Sequence, residues 1–311
     1  MFGNLATPVT GFSHLSRLDA EPKIKGSRMA LNYEKIMAYR PPAMRAAYGS
    51  RDCILYALGI GLGMDPTDAQ QLRFVYEKNL IAFPTLATTL GWWGRLTDPE
   101  FGIDERMVVL ADQRLVLHLP LGPEGVLISR TYVKEVIDKG EGNAAIIQLA
   151  RDLTTEDGAL VATVEGSTLL RKHGGFGGKA TQSPEPHAIP SREPDVVCDL
   201  PTPPNLAMIF RLNGDTNPLH VDPERAKVAG FPRPILHGMA NFGIAAHAVL
   251  RGFCDYRVES LASIEARFAR PVFPGETIRT QMWRDGDRVS FRCSTVERGD
   301  VAVDNGLAVL R

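Results

Sequence analysis

Apolar positions along this chain follow two periods, and the periods alternate in blocks. Over residues 51–62, and again over 237–250, they recur at helical spacing. In the second block Met239, Phe242, Ala246, Val249 and Leu250 form the apolar stripe, while Ala240, Gly243 and Ala245 keep the other faces small. A helix apolar on nearly every side is a buried one. Over 145–153, 160–164 and 167–171 the pattern shifts to alternation rich in β-branched residues, broken by a turn at Glu156-Asp157-Gly158. The same pattern returns over 289–296, 301–303 and 307–311, around Arg298-Gly299-Asp300. Such blocks predict antiparallel hairpins. One buried helix followed by antiparallel strands, occurring twice, is an α+β plan built by duplication.

Between the two blocks, residues 171–195 read as a linker. His173-Gly-Gly-Phe-Gly-Gly-Lys179 is followed by Pro184, Pro186, Pro190 and Pro194 among serines and charges, a composition of irregular backbone. The division expected is a detached, disordered extension over 1–28, a first half over 29–170, the linker, and a second half over 196–311. Acidic Asp19 and Glu21 argue against reading the extension as a transit peptide.

Composition narrows the class without choosing a function. The chain has 311 residues, 44% hydrophobic and 23% charged, with a formal net charge of -1. That balance gives no basic footprint for nucleic acid. No apolar stretch approaches the roughly 18 residues of a membrane span. Cys53, Cys198, Cys254 and Cys293 are far apart and form no metal or disulfide spacing, which fits a reducing compartment. The C-terminal Val309-Leu-Arg311 is no obvious peroxisomal address, so cytoplasm is the expectation.

Candidate chemistry is concentrated between the linker and the second buried helix, in Asn213-Gly-Asp-Thr-Asn-Pro-Leu-His220. Gly214 permits a sharp turn before Asp215. Asn217-Pro218 fixes the next step in extended geometry. Asp222-Pro223 then reads as a helix cap with proline at the first position. The predicted loop presents a carboxylate, an amide and an imidazole together, the groups of general acid–base catalysis. Asp215 and His220 could accept hydrogen bonds from one water, with Asn217 fixing their orientation. The plainer alternative is a turn-capping aspartate and a buried structural histidine. Downstream, Gly238 opens the buried helix, where a backbone N–H without an intrahelical partner can stabilise an oxyanion.

This motif, followed by Ala226, Ala229-Gly-Phe231 and Pro234-Ile-Leu-His-Gly238, resembles the MaoC-like hydratase 2 family. Further matching pieces are Leu55-Tyr-Ala-Leu-Gly-Ile-Gly61, Gly174-Gly-Phe-Gly-Gly178 and Glu265-Ala-Arg-Phe-Ala-Arg-Pro-Val272. The resemblance implies a double hot-dog fold, two helices each wrapped by antiparallel strands. It implies hydration of trans-2-enoyl-CoA to (3R)-3-hydroxyacyl-CoA, an acyl-CoA substrate, no metal or other cofactor, and a homodimer. Asp215 and His220 would be the catalytic pair, supported by Asn217, with Gly238 as oxyanion donor. Gly214, Thr216, Pro218, Leu219 and His237 would surround the substrate, Phe268 would form a wall, and Lys139 would approach the CoA phosphates.

Two departures stand out. Where long-chain members carry His-Gly before Glu-Gln, this chain reads Leu110-Ala111-Asp112-Gln113. Before its own helix, the first half has Tyr39-Arg-Pro-Pro-Ala-Met-Arg45 and no copy of the motif. One active site per chain is therefore expected, with the first half widening the acyl pocket. Other readings are a thioesterase or acyl-carrier-protein dehydratase on the same scaffold, and a non-catalytic acyl-CoA-binding protein.

Overall fold

In the computed structural model, the described residues are 30–92, 96, 98–104, 107–178 and 185–311. The expected extension over 1–28 lies outside them. The first half comprises α1 (Tyr33–Ala38), β1 (Met44–Tyr48), α2 (Ser50–Gly59), α3 (Ala69–Val75), β2 (Val108–Leu117), β3 (Gly125–Asp138), β4 (Ala145–Thr154) and β5 (Leu160–Leu170). The second comprises β6 (Val196–Pro201), α4 (Leu206–Phe210), α5 (Pro223–Val228), α6 (Gly238–Phe253), β7 (Leu261–Phe268), β8 (Thr277–Asp285), β9 (Arg288–Thr295) and β10 (Val301–Leu310).

All the strands join one antiparallel sheet in the order β1-β3-β4-β5-β2-β7-β10-β9-β8-β6. The order reads identically outward from its middle, with β2 and β7, β5 and β10, β4 and β9, β3 and β8, and β1 and β6 as counterparts. The halves are thus topological copies, joined where β2 pairs β7 from Asp112↔Arg267 to Val116↔Ser263. At this seam the alternation is strict: Leu115 and Ile264 are fully buried, while Arg114 reaches outward to Glu165 and Glu265. The α6 helix lies against every strand of its own half and against β2. A helix can touch that many adjacent strands only if the sheet curves around it, which is the double hot-dog plan.

The two segments read from sequence as pairs of short strands, 160–171 and 301–311, are each one strand. In β10 the polar interruption at Asp304-Asn305-Gly306 is a bulge with Asn305 at φ 55°. A bulge keeps the ladder while inserting an extra residue.

The Gly-rich start of the linker is anchored to the first half. Gly175 and Gly177 donate backbone N–H bonds to the two carboxylate oxygens of Asp138 at 2.7 and 3.0 Å, and Gly140 adds a third at 2.8 Å. Burial would raise the Asp138 pKa, but these donors outweigh it and hold the carboxyl below its ordinary value. Beyond residues 179–184, the segment continues on the second half, where His187 bonds Ser290 and accepts from Asn305.

Side chains from the end of α2 press on α6 at Gly243. A methyl there would lie 2.5 Å from Ile60 Cγ2 and 2.9 Å from the Tyr56 hydroxyl. Because a β-branched neighbour has little freedom to retreat, Gly243→Ala is expected to lose about 1–3 kcal/mol, measurable as a lowered urea midpoint with an unchanged slope.

Candidate active site

The motif loop occupies the connection between β6 and α6. After α4, a single 3-10 turn (Arg211–Asn213) ends on Gly214, whose φ of 114° is in the left-handed region that favours glycine. The chain then reverses so that Asp215 is half-buried and its carboxylate accepts the Asn217 N–H at 3.2 Å. Asn217 caps the next 3-10 turn (Pro218–His220), accepting from Leu219 N–H at 3.2 Å. Asp222 caps α5 through Glu224 and Arg225, with Pro223 at its first position. Each polar residue of the motif thereby sets the backbone that aims the next one.

His220 is buried, and its Nδ1 lies 2.8 Å from the Ile235 carbonyl. A carbonyl can only accept, so Nδ1 carries the proton and the lone pair belongs to Nε2. His237 is fully buried, and its Nε2 donates to the Asp215 main-chain carbonyl at 3.2 Å. The two imidazoles stack, with centroids 3.8 Å apart and planes 26° from parallel. One carboxylate oxygen of Asp215 and one ring nitrogen from each histidine lie within 4.8 Å of one another. Two imidazoles and a carboxylate are also a donor set that a transition metal accepts. Here each histidine already has one nitrogen committed to a backbone carbonyl.

Burial above all, then the neighbouring His220, pushes the His237 pKa down to about 3. Its ring is therefore neutral at any physiological pH.

Gly238 is the first residue of α6, directly after His237. A Cβ at Gly238 would lie 3.4 Å from Leu110 Cδ2 and 3.7 Å from the Phe268 ring. The helix start therefore faces one side chain from each half. Leu110 brings the first half to the helix start as an apolar side chain.

The structure brings Asp215, Asn217, His220, His237, Gly238 and Phe268 to one place. Pro218 and Leu219 are half-buried in the same loop, whereas Gly214 and Thr216 are exposed on its outer side. Lys139 stands apart, exposed on the β3–β4 turn. Sequence reasoning missed the Ile235 carbonyl, and it marked the stretch at Leu110 only as a departure, not as a contact of the helix start. The carbonyl is a backbone group, which residue identity does not encode, and the approach of Leu110 to Gly238 joins residues far apart in sequence.

Known proteins resemble the chain in both halves. Residues 47–172 match the MFE-2 hydratase 2 N-terminal domain and residues 186–305 the MaoC like domain. Over 290 residues the chain is 37% identical to enoyl-CoA hydratase 2, peroxisomal, of Arabidopsis thaliana, covering 86% of this chain and 92% of that one. The chain belongs to the MaoC-like hydratase 2 family. Another member, peroxisomal multifunctional enzyme type 2 of Mus musculus, is 35% identical over 280 residues, which cover 86% of this chain but 37% of that larger protein. Among solved structures, a MaoC-like dehydratase from Phytophthora capsici aligns with a TM-score of 0.79 at 34% identity, covering 89% of this chain and 98% of that one. For this hydratase 2 family member, no helix among the described residues is long and apolar enough to cross a membrane.

The depressed His237 pKa has a measurable consequence. In the unfolded chain this imidazole titrates near 6.5, so its neutral burial contributes stability above that pH and loses it as pH falls toward 3. Urea midpoints should therefore drop between pH 7 and pH 5 in the parent, and drop less in His237→Gln. Equal drops would contradict a strongly depressed pKa.

Proposed function

We propose that this chain hydrates trans-2-enoyl-CoA thioesters to (3R)-3-hydroxyacyl-CoA, using Asp215 and His220 to activate one water. Family membership makes the chain a hydro-lyase, and its relatives' names, hydratase and dehydratase, describe the two directions of one reaction. The observation that carries the mechanism is the convergence of the Asp215 carboxylate and the His220 ring within 4.8 Å, with the His220 proton held on Nδ1 by Ile235.

In this reading a water donates to the Asp215 carboxylate and to Nε2 of His220. As its oxygen bonds to the β-carbon, one of the pair takes its proton. The electrons of the double bond move toward the thioester, and the carbonyl oxygen becomes enolate-like beside the Gly238 N–H. The α6 dipole and that N–H stabilise the developing charge. A proton returned from the pair to the α-carbon completes the addition, so water is consumed and nothing is oxidised or reduced. Leu110 and Phe268 exclude bulk water and line the way for the acyl chain.

Lys139 fits the phosphate end of the substrate. It follows Asp138, which pairs Ala145; Ala145 pairs Leu170 and Leu170 pairs Val108, so the turn is at the same end of the sheet as Leu110. Four strand steps separate β3 from β7, roughly 19 Å at about 4.8 Å each. An extended pantetheine arm could bridge such a span.

Crotonyl-CoA mixed with the protein should lose its enoyl absorbance without releasing free thiol, and chiral analysis should give the (3R) alcohol. Free CoA would instead favour a thioesterase, and a (3S) product would remove the stereochemical assignment. Asp215→Asn should lower turnover at least about 10²-fold while the protein remains folded; undiminished activity would remove Asp215 from the mechanism.

A further inference from the structure

His237 moves no proton in the hydration steps, and its ring is wholly enclosed, yet it contacts the Asp215 loop, the His220 ring and the first turn of α6. Its Nε2–H holds the Asp215 carbonyl at 3.2 Å. One face lies on the His220 ring, and the Phe210 ring is 5.0 Å away, tilted 46°. Its own carbonyl accepts from Ala240 and Asn241 at 3.1 Å each, so its backbone starts α6 and fixes where the Gly238 N–H points.

We propose that His237 is a positioning residue, tying the Asp215 loop and the His220 ring to the first turn of α6 so that the proton acceptors and the oxyanion donor keep one separation. The inference rests on the hydratase reading and deepens it. Three pieces of chain must act on adjacent atoms of one substrate: the Asp215 turn, the His220 turn and the helix start. All three meet on this residue. Its second ring nitrogen, Nδ1, is buried without a hydrogen-bond partner, an arrangement that costs stability. A leucine or phenylalanine would fill the space without that cost, so packing does not explain an imidazole here. What an imidazole adds is a donor and a flat face, and both are used on the dyad. Neutrality suits the role: a second cation stacked on His220 would disfavour any proton arriving on that ring.

A positioning role differs from substrate contact, the role the family resemblance implies for His237, and from simple packing. The test compares His237→Leu, which removes the donor, with His237→Gln, whose amide N–H can reach the Asp215 carbonyl. Turnover of crotonyl-CoA, affinity for the unreactive butyryl-CoA and the melting temperature are read for each. Misplacement of reacting groups by about 1 Å can cost on the order of 10²-fold in rate. His237→Leu should therefore lose at least about tenfold in kcat with butyryl-CoA affinity within about twofold of the parent, and His237→Gln should recover a clear part of that loss. Equal kcat in His237→Leu and the parent would overturn the proposal. So would a parallel loss of butyryl-CoA affinity, which assigns the ring to substrate binding, or a Gln variant no better than Leu. If the parent itself fails to hydrate crotonyl-CoA, the hydratase reading fails instead. The ring nitrogens of His237, followed by NMR, separate the two cases: an Nε2–H proton that persists from pH 7 to pH 5 reports the bond to Asp215 whatever the activity, and its absence overturns the positioning role.

Discussion

A hydrogen bond between a side chain and a backbone carbonyl, His220 Nδ1 to Ile235, sets the chemical character of this site. Imidazole has two nitrogens, and only the one without a proton can act as a base. By occupying Nδ1 with an acceptor that has no proton to give, the fold fixes the lone pair on Nε2. The carbonyl is itself fixed, because the next residue, Leu236, donates its N–H to Val272 at 2.7 Å, and the chain then enters α6. The hydrogen-bond acceptor of His220, the start of α6 and the loop between β7 and β8 are thereby held together. Asp215 joins them through His237.

The two halves, though topological copies, differ in where their long connections stand. In the first half β1 passes into α2 through Gly49 alone, leaving no chain to build a site before the helix. In the second half residues 202–237 intervene between β6 and α6, and the motif loop lies within them. The first half has its long excursion after the helix instead. Part of it, Pro84–Thr88, is fully enclosed and packs on β2, β5 and α6. There Arg151, a buried cation on β4, donates to the carbonyls of Ala87 and Thr88. The first half thus contributes a wall through Leu110 and a scaffold behind it. A symmetric ancestor with two sites would need matching loops in matching places, and the present loops do not match.

Much of this was legible in the sequence because local patterns and global contacts agree. The stripe through Met239, Phe242, Ala246, Val249 and Leu250 forms α6, which is buried without interruption from Ala240 to Leu250, and Asp222-Pro223 caps α5 as its chemistry dictates. The motif loop was readable because Gly214, Asn217 and Pro218 each constrain backbone locally. Other features depend on partners distant in sequence. Met44–Tyr48 has no strong alternation and is a strand only because β3 pairs with it. The glycines after His173 announced an unusual backbone but not the Asp138 carboxylate they enclose. Stacking of His220 on His237 joins side chains seventeen positions apart, and no period in the sequence marks it. The break at Asp304-Asn305-Gly306 reads as a loop because a bulge and a loop use the same residues.

The most direct test of the central claim is a crystal structure with a 3-hydroxyacyl-CoA product bound. The account predicts its 3-hydroxyl oxygen within hydrogen-bond distance of both the Asp215 carboxylate and Nε2 of His220, with the thioester oxygen on the Gly238 N–H. A product whose hydroxyl contacts neither side chain, or whose thioester is turned away from the start of α6, would contradict it.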